Sequence, residues 1–368
     1  MLIFDGHNDV LKRAYLSGTS FLAPNPFTDI DLPRAKQGDF AGGLFAIMTP
    51  AETATERHPD FGLTIREDGW TVDYPRAVSQ HFAERFTNRV LDSFLEEAAR
   101  TPDVSIVTCT ETLEGCLATG RLAVLLHLEG AEAIRPDLTN LAAFHAKGIR
   151  SIGPVWSRPN AFGYGVPFRF PATPDTGPGL TEAGRQLIAA CRELGILVDL
   201  AHITERGFWD VAEIAGGPLI VSHANAHAIC PSSTNLLDAQ IDAIGRSGGI
   251  VGILFDVLNT RPDGKLIRDT PIRMLVDHID YIVGRIGIDH VGLGSDIDGS
   301  STLFNSLRTV ERFQFLVETL LECGYTTSDT QKLSYRNWIR VIGNTWGCGA
   351  TRSRSHVPQP GEATDRGL

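Results

Sequence analysis

Long apolar runs are missing from this chain of 368 residues. A membrane-spanning helix needs roughly 18–20 consecutive apolar residues. The longest candidates here, such as Ala123–Leu126 and Gly249–Phe255, have the length of buried strands. A basic excess is missing too. The formal net charge of -11 argues against a nucleic-acid partner, which asks for a basic face, and it suits a soluble, cytoplasmic protein. The six cysteines (Cys109, Cys116, Cys191, Cys230, Cys323 and Cys348) form no CxxC pair. They read as small buried hydrophobes in a reducing compartment, not as a disulfide framework or a sulfur-ligated zinc site. The start, Met-Leu-Ile-Phe-Asp-Gly-His, has neither a basic segment nor a long apolar one, so it does not read as a signal peptide.

Two catalytic signatures are also absent. There is no Gly-x-Ser-x-Gly elbow, and no cysteine sits in a pattern that suggests activation, which argues against serine or cysteine nucleophiles. Ser222 directly precedes His223, but neighbours on a strand face opposite sides. A Gly-rich phosphate turn is missing after the first apolar run, where Asp5-Gly6-His7-Asn8-Asp9 stands instead, and this disfavours an open dinucleotide-binding sheet.

What is present is an ordinary globular composition, 42% hydrophobic and 21% charged, with apolar mass for a large core. Short apolar runs alternate with amphipathic segments. Strands are predicted near Ile3–His7, Gly43–Met48, Ala123–Leu128, Arg150–Val155, Ile196–Ala201, Leu219–Ser222, Ile250–Phe255 and His290–Gly294. Helices are predicted over Ala77–Ala99, Leu138–Lys147, Glu182–Leu194, Glu205–Ala215, Leu236–Arg246 and Ile272–Arg285, with caps at Thr181, Thr204 and Gly195. Parallel crossovers need a connecting element, and eight such units point to an α/β fold, a single (β/α)8 TIM-type barrel over residues 1–350. Thr49–Tyr74 is polar and aperiodic and reads as a long loop. Ser157–Gly179, rich in Pro, Gly and aromatics, reads as an ordered active-site cover. Residues 351–368 read as a flexible tail.

Barrel enzymes place their chemistry where the strands end. Here strand one ends in His7-Asn8-Asp9, strand three in Glu129, strand five in His202, strand six in His223 and strand eight in Asp296. His7 and Asp9, two apart on an extended strand, point to one side and can share a metal. Imidazoles with carboxylates suit Zn, Mn, Fe or Co and not an all-oxygen calcium or magnesium cage. Five ligands exceed the three that one open tetrahedral zinc uses, so two divalent ions with a bridging carboxylate are the economical solution. Charge counting agrees, because Asp9, Glu129, Asp296 and a hydroxide balance two dications. His127 shares the face of Glu129 one layer deeper, either behind the ligands or in the core. His227, four after His223, lacks the helix and glutamate of a zincin, and His290 opens its strand at the wrong end. Both read as structural. His58, His81, His145, His278 and His356 carry no signal.

These residues resemble the membrane dipeptidase (renal dipeptidase) family. The matching pieces are Asp5-Gly6-His7-Asn8-Asp9, Leu128-Glu129-Gly130, Val198-Asp199-Leu200-Ala201-His202, Ser222-His223, Gly292-Leu293-Gly294-Ser295-Asp296-Ile297-Asp298-Gly299 and Asn337-Trp338-Ile339-Arg340-Val341. The resemblance implies that His7 and Asp9 bind one zinc, that His202 and His223 bind the other, and that Glu129 bridges them. It implies that a metal-bridging hydroxide attacks a dipeptide or similar small amide while Asp296 handles its proton. It also implies a homodimer. At two positions this chain departs from the family. The arginine that receives a substrate carboxylate falls at Thr234, and a hydroxyl does not replace a bidentate guanidinium. The histidine that steadies the tetrahedral intermediate falls at Trp156. Arg158 and Arg169, in the aromatic segment, are the cations within sequence reach. The alternatives are a related metallohydrolase acting on another amide, an N-acyl amino acid or a lactone, and a non-catalytic binding barrel.

Overall fold

The computed structural model describes residues 1–52, 62–73 and 76–350, the last four of these as backbone. The 351–368 tail, His58, His356 and most of the middle of Thr49–Tyr74 lie outside the described residues. In chain order the strands are β1 (Ile3–Asn8), β2 (Phe40–Met48), β3 (Leu63–Arg66), β4 (Gly69–Val72), β5 (Val104–Ile106) and β6 (Leu122–Glu129). They continue as β7 (Ile149–Gly153), β8 (Arg169–Phe170), β9 (Leu197–Val198), β10 (Ile220–Val221), β11 (Ile250–Ile253) and β12 (Val291–Leu293).

Eight of these form one parallel path in the order β10-β11-β12-β1-β2-β6-β7-β9. The path almost closes on itself, because Asp199, just past β9, makes a parallel bridge to Ile220 of β10. The expected eight-stranded barrel is therefore present, each strand within a few residues of its predicted place. Its strands are almost entirely buried because a parallel sheet is covered on both faces; every residue of β1 and of β6 is buried. The extra strand β5 pairs with the first part of β6 (Val104↔Leu122 to Ile106↔Val124), and β7 pairs with the second part.

The covering helices start and stop where local chemistry asks. Thr181 and Thr204 accept from the backbone N–H of Gly184 and Gly207, and Gly195 ends the helix Glu182–Leu194 at φ 67°. Inside the barrel, Phe4, Leu44, Leu125, Leu197, Ile220 and Ile250, from six different strands, pack with Trp338. A Cβ at Gly6 would lie 2.3 Å from the Trp338 ring, and one at Gly292 would lie 2.6 Å from its nitrogen. Both glycines are thus needed for Trp338 to donate to the Leu293 carbonyl at 2.8 Å. This gives the Asn337-Trp338 segment a structural reason.

Two expectations change. The described part of Thr49–Tyr74 is not all loop, since β3 and β4 form an antiparallel hairpin that β8 joins. Trp70 stacks on Phe170 at 6.3 Å and holds this small sheet together. The cysteines are not uniformly buried either. Cys116, Cys191 and Cys230 are, whereas Cys109 and Cys323 are exposed.

Candidate metal centre

The first strand reaches the barrel mouth through a bulge. Between Asp5 and Asn8 it advances three residues while β2 advances two, from Gly43 to Phe45. Such an insertion re-aims side chains next to functional sites. His7 is fully buried there. Beyond it, Asp9 donates its backbone N–H to the Ile297 carbonyl, and Asp296 donates to the His7 carbonyl. The loop after β12 is thereby laced to the end of β1. A Cβ at Gly299 would meet Asp296 Oδ1 at 2.2 Å and Asp9 Oδ2 at 2.3 Å, so both carboxylates need a glycine at that position. His202 and Asp296 both take positive φ, 64° and 57°, a conformation that costs a non-glycine residue about 1–3 kcal/mol and gathers at functional sites.

The six strand-end residues converge. Glu129 Oε1 lies 3.6 Å from His7 Nε2, 2.9 Å from His202 Nε2 and 3.9 Å from His223 Nε2. His7 Nε2 is 3.5 Å from Asp9 Oδ2, and the Nε2 atoms of His202 and His223 are 2.8 Å apart. Ligand atoms of His7, Glu129 and His223, and separately of His7, Asp9 and Asp296, lie within 4.8 Å of one another. A cation fits these side chains. His7 Nε2 is buried without a hydrogen-bond partner, two imidazole nitrogens face each other at contact distance, and the imidazole–carboxylate donor set is that of a zinc-like ion.

Electrostatics follow from crowding. Burial works to raise the Glu129 carboxyl, but His7 and His202 outweigh it and hold it well below the usual carboxylate range. Burial pushes Asp296 well above that range; His7 opposes the shift, and the neighbouring carboxylates Asp9 and Glu129 add to it. His223 is pushed well down by burial and by the other imidazoles.

Several neighbours escaped the sequence reading. Lys12, on the first turn after Asp9, places Nζ 2.7 Å from Asp9 Oδ1, with side chains 13% and 2% exposed. Burial opposes its charge, yet Asp9 and Glu129 hold it above the usual lysine range. Ser222 is not turned away from His223, because β10 stops at Val221 and the strand alternation ends with it. Its Oγ sits 2.8 Å from His223 Nδ1. It is fully buried and bonded to Asp199, which is no place for a nucleophile. Ser157 Oγ lies 3.0 Å from His202 Nδ1.

The substrate-side positions are placed as follows. The Trp156 and Phe168 rings stand 6.0 and 5.6 Å from the His202 ring, walling one side of the centre. The Thr234 hydroxyl donates to Asn259 Oδ1 at 2.8 Å. Arg158 is fully buried, with Nε donating to Glu132 at 2.7 Å and Nη2 to the Thr49 carbonyl, which leaves Nη1 a buried donor without a partner among the described residues. Arg169 is exposed, and its backbone N–H donates to Ser233 Oγ, one residue from Thr234. His127 is buried against Ser151. His227 and His290 contact the Ala172 and Gly249 carbonyls, as structural histidines do.

A parallel barrel with three imidazoles and three carboxylates gathered at its mouth belongs to the metallohydrolase class. The model of the membrane dipeptidase family (peptidase family M19) matches residues 1–354, and the chain belongs to that family. A crystal structure of a metallopeptidase from Rhodobacter sphaeroides, liganded with a phosphinate mimic of the dipeptide L-Ala-D-Ala, is similar to it. That similarity has a TM-score of 0.86 at 38% identity and covers 94% of this chain and 99% of the other. An uncharacterized Klebsiella pneumoniae protein from the pqqA 5' region is 46% identical over 234 residues, 64% of this chain and 86% of its own. The dipeptidase tcpJ of Claviceps purpurea is 25% identical over 92% of this chain and 76% of its own length. No helix among the described residues is long and apolar enough to cross a membrane.

Proposed function

We propose that this chain hydrolyses the amide bond of a dipeptide or similar small amide at a centre of two divalent ions, zinc in the first instance. The observation that carries the reading is Glu129 Oε1, which stands within 3.9 Å of imidazole nitrogens from three strand ends. One carboxylate so placed serves both the His7–Asp9 half and the His202–His223 half. When bound, the ions supply Lewis acidity and activate water. Asp296, whose carboxylate stands with His7 and Asp9 at the barrel mouth, takes the proton of the attacking water and delivers it to the leaving amine. Trp156 and Phe168 exclude bulk water beside His202. The dipeptide mimic on the Rhodobacter sphaeroides enzyme supports the substrate class.

A second reading, hydrolysis of another amide, an N-acyl amino acid or a lactone, is favoured by Thr234. Its hydroxyl is engaged with Asn259, and a free substrate carboxylate entering a desolvated pocket needs a cation or several donors. The test is a panel of L,L- and L,D-dipeptides, dipeptide amides, N-acyl amino acids and lactones offered to zinc-loaded protein. Turnover confined to lactones, or absent throughout, would overturn the dipeptide reading.

A further inference from the structure

The imidazoles at the mouth present Nε2 to one another and to Glu129, so each ring must be held through its Nδ1. Ser222 does this for two of them. Its buried hydroxyl oxygen lies 2.6 Å from Asp199 Oδ2, 2.8 Å from His223 Nδ1 and 3.4 Å from His7 Nδ1. A hydroxyl has one proton and two lone pairs, whereas a carboxylate only accepts. Asp199 is already oriented by the backbone N–H groups of Ala201 and Ser222, both donating to Oδ1. The Ser222 proton therefore goes to Asp199 Oδ2, and the serine oxygen is left able only to accept. Both facing imidazoles must then carry their proton on Nδ1.

We propose that Asp199 and Ser222 act together as a positioning pair that sets the Nδ1–H tautomer of both His7 and His223. One hydroxyl thus turns a lone pair from the end of β1 and another from beyond β10 toward the same centre. His202 is outside this arrangement, because its Nδ1 faces Ser157 instead. The inference rests on the metal-site reading above, but its proton arrangement belongs to the protein alone.

Nitrogen NMR of histidine-labelled protein tests it, in the zinc-loaded form and in metal-free protein titrated upward until the ring signals stop changing. Wild type should show protonated Nδ1 on His7 and His223 in both states. In the metal-free form Ser222→Ala should lose the fixed Nδ1 proton on both rings while leaving His202 unchanged, and zinc affinity should fall about 10- to 100-fold, the usual effect of removing a group behind a metal ligand. Ser157→Ala should disturb His202 alone. Asp199→Asn covers the case in which Ser222→Ala does not fold. Its amide can donate to the serine oxygen, which turns the hydroxyl proton onto an imidazole and drives the Nε2–H tautomer. Unchanged ring signals and zinc affinity in either folded variant would overturn the proposal. Wild type with both Nδ1 protons in place that takes up no zinc would support the tautomer assignment and overturn the metal-site reading instead.

Discussion

Replacing Lys12 with methionine separates the metal-free from the metal-loaded molecule. The ammonium lies 2.7 Å from Asp9 Oδ1, which at an effective dielectric of 20 is a gross attraction of about 6 kcal/mol. Desolvation offsets part of this, and breaking a buried pair from one side typically costs about 3–5 kcal/mol. The residue left behind, Asp9, is buried, and Glu129 and Asp296 crowd the same pocket. In chelator, Lys12→Met should therefore lose about 3 kcal/mol against wild type. With metal bound, Asp9 has a dication as partner, and the lysine's charge only repels that ion, so the loss should nearly vanish. By linkage the variant then binds metal more tightly by the difference, about a hundredfold in affinity. Urea unfolding with chelator and with saturating zinc measures the first quantity, and competition against a zinc indicator measures the second. Equal destabilisation in both conditions, or weaker zinc binding by the variant, would refute the view that Lys12 stands in for metal charge at Asp9.

Asp296→Asn should keep its fold and most of its metal but lose roughly 10²–10⁴ in turnover, the worth of a positioned acid–base group; near-normal kcat would remove Asp296 from the chemistry. His278 accepts the Ala226 N–H and donates to the Thr260 carbonyl, and burial pushes its pKa down from 6.5 to about 4. Folding keeps it neutral while the unfolded chain protonates, so stability is full above about pH 6.5 and falls by about 3 kcal/mol as pH drops toward 4. His278→Gln should flatten that slope in urea titrations, and an unchanged slope would contradict the assignment. Thr234→Arg should raise kcat/KM for free dipeptides over dipeptide amides by about 1.5–3 kcal/mol, a charge-assisted hydrogen bond. A wild type that already prefers the free acid strongly would show that another cation does this work, with exposed Arg169 beside Ser233 the first to substitute.

The barrel was legible because its strands are apolar on both faces, and the convergence of His7, Asp9, Glu129, His202, His223 and Asp296 was legible because parallel strands all end on one side. Rules of strand alternation lose force where strands stop. Ser222 lies one residue past β10, so its reach back to His223 had no pattern to announce it. The bulge that turns His7 inward is visible only against the register of β2. A lysine on a first helical turn is ordinarily a solvated charge, and only the burial of Asp9 beside it gives Lys12 a role at the centre. The sheet of β3, β4 and β8 escaped notice because its strands are short, β3 is mostly exposed, and its pairing joins segments about a hundred positions apart through Trp70 and Phe170.

The central claim is that one carboxylate, Glu129, unites two metal positions into a hydrolytic centre. Chelated protein, titrated with zinc while dipeptide hydrolysis and bound metal are followed together, measures this directly. Turnover is expected to be absent without metal and to plateau at two equivalents per chain, with His202→Ala and His223→Ala each reducing the metal bound and abolishing turnover. Full activity at one equivalent, or in metal-free protein, would contradict that claim.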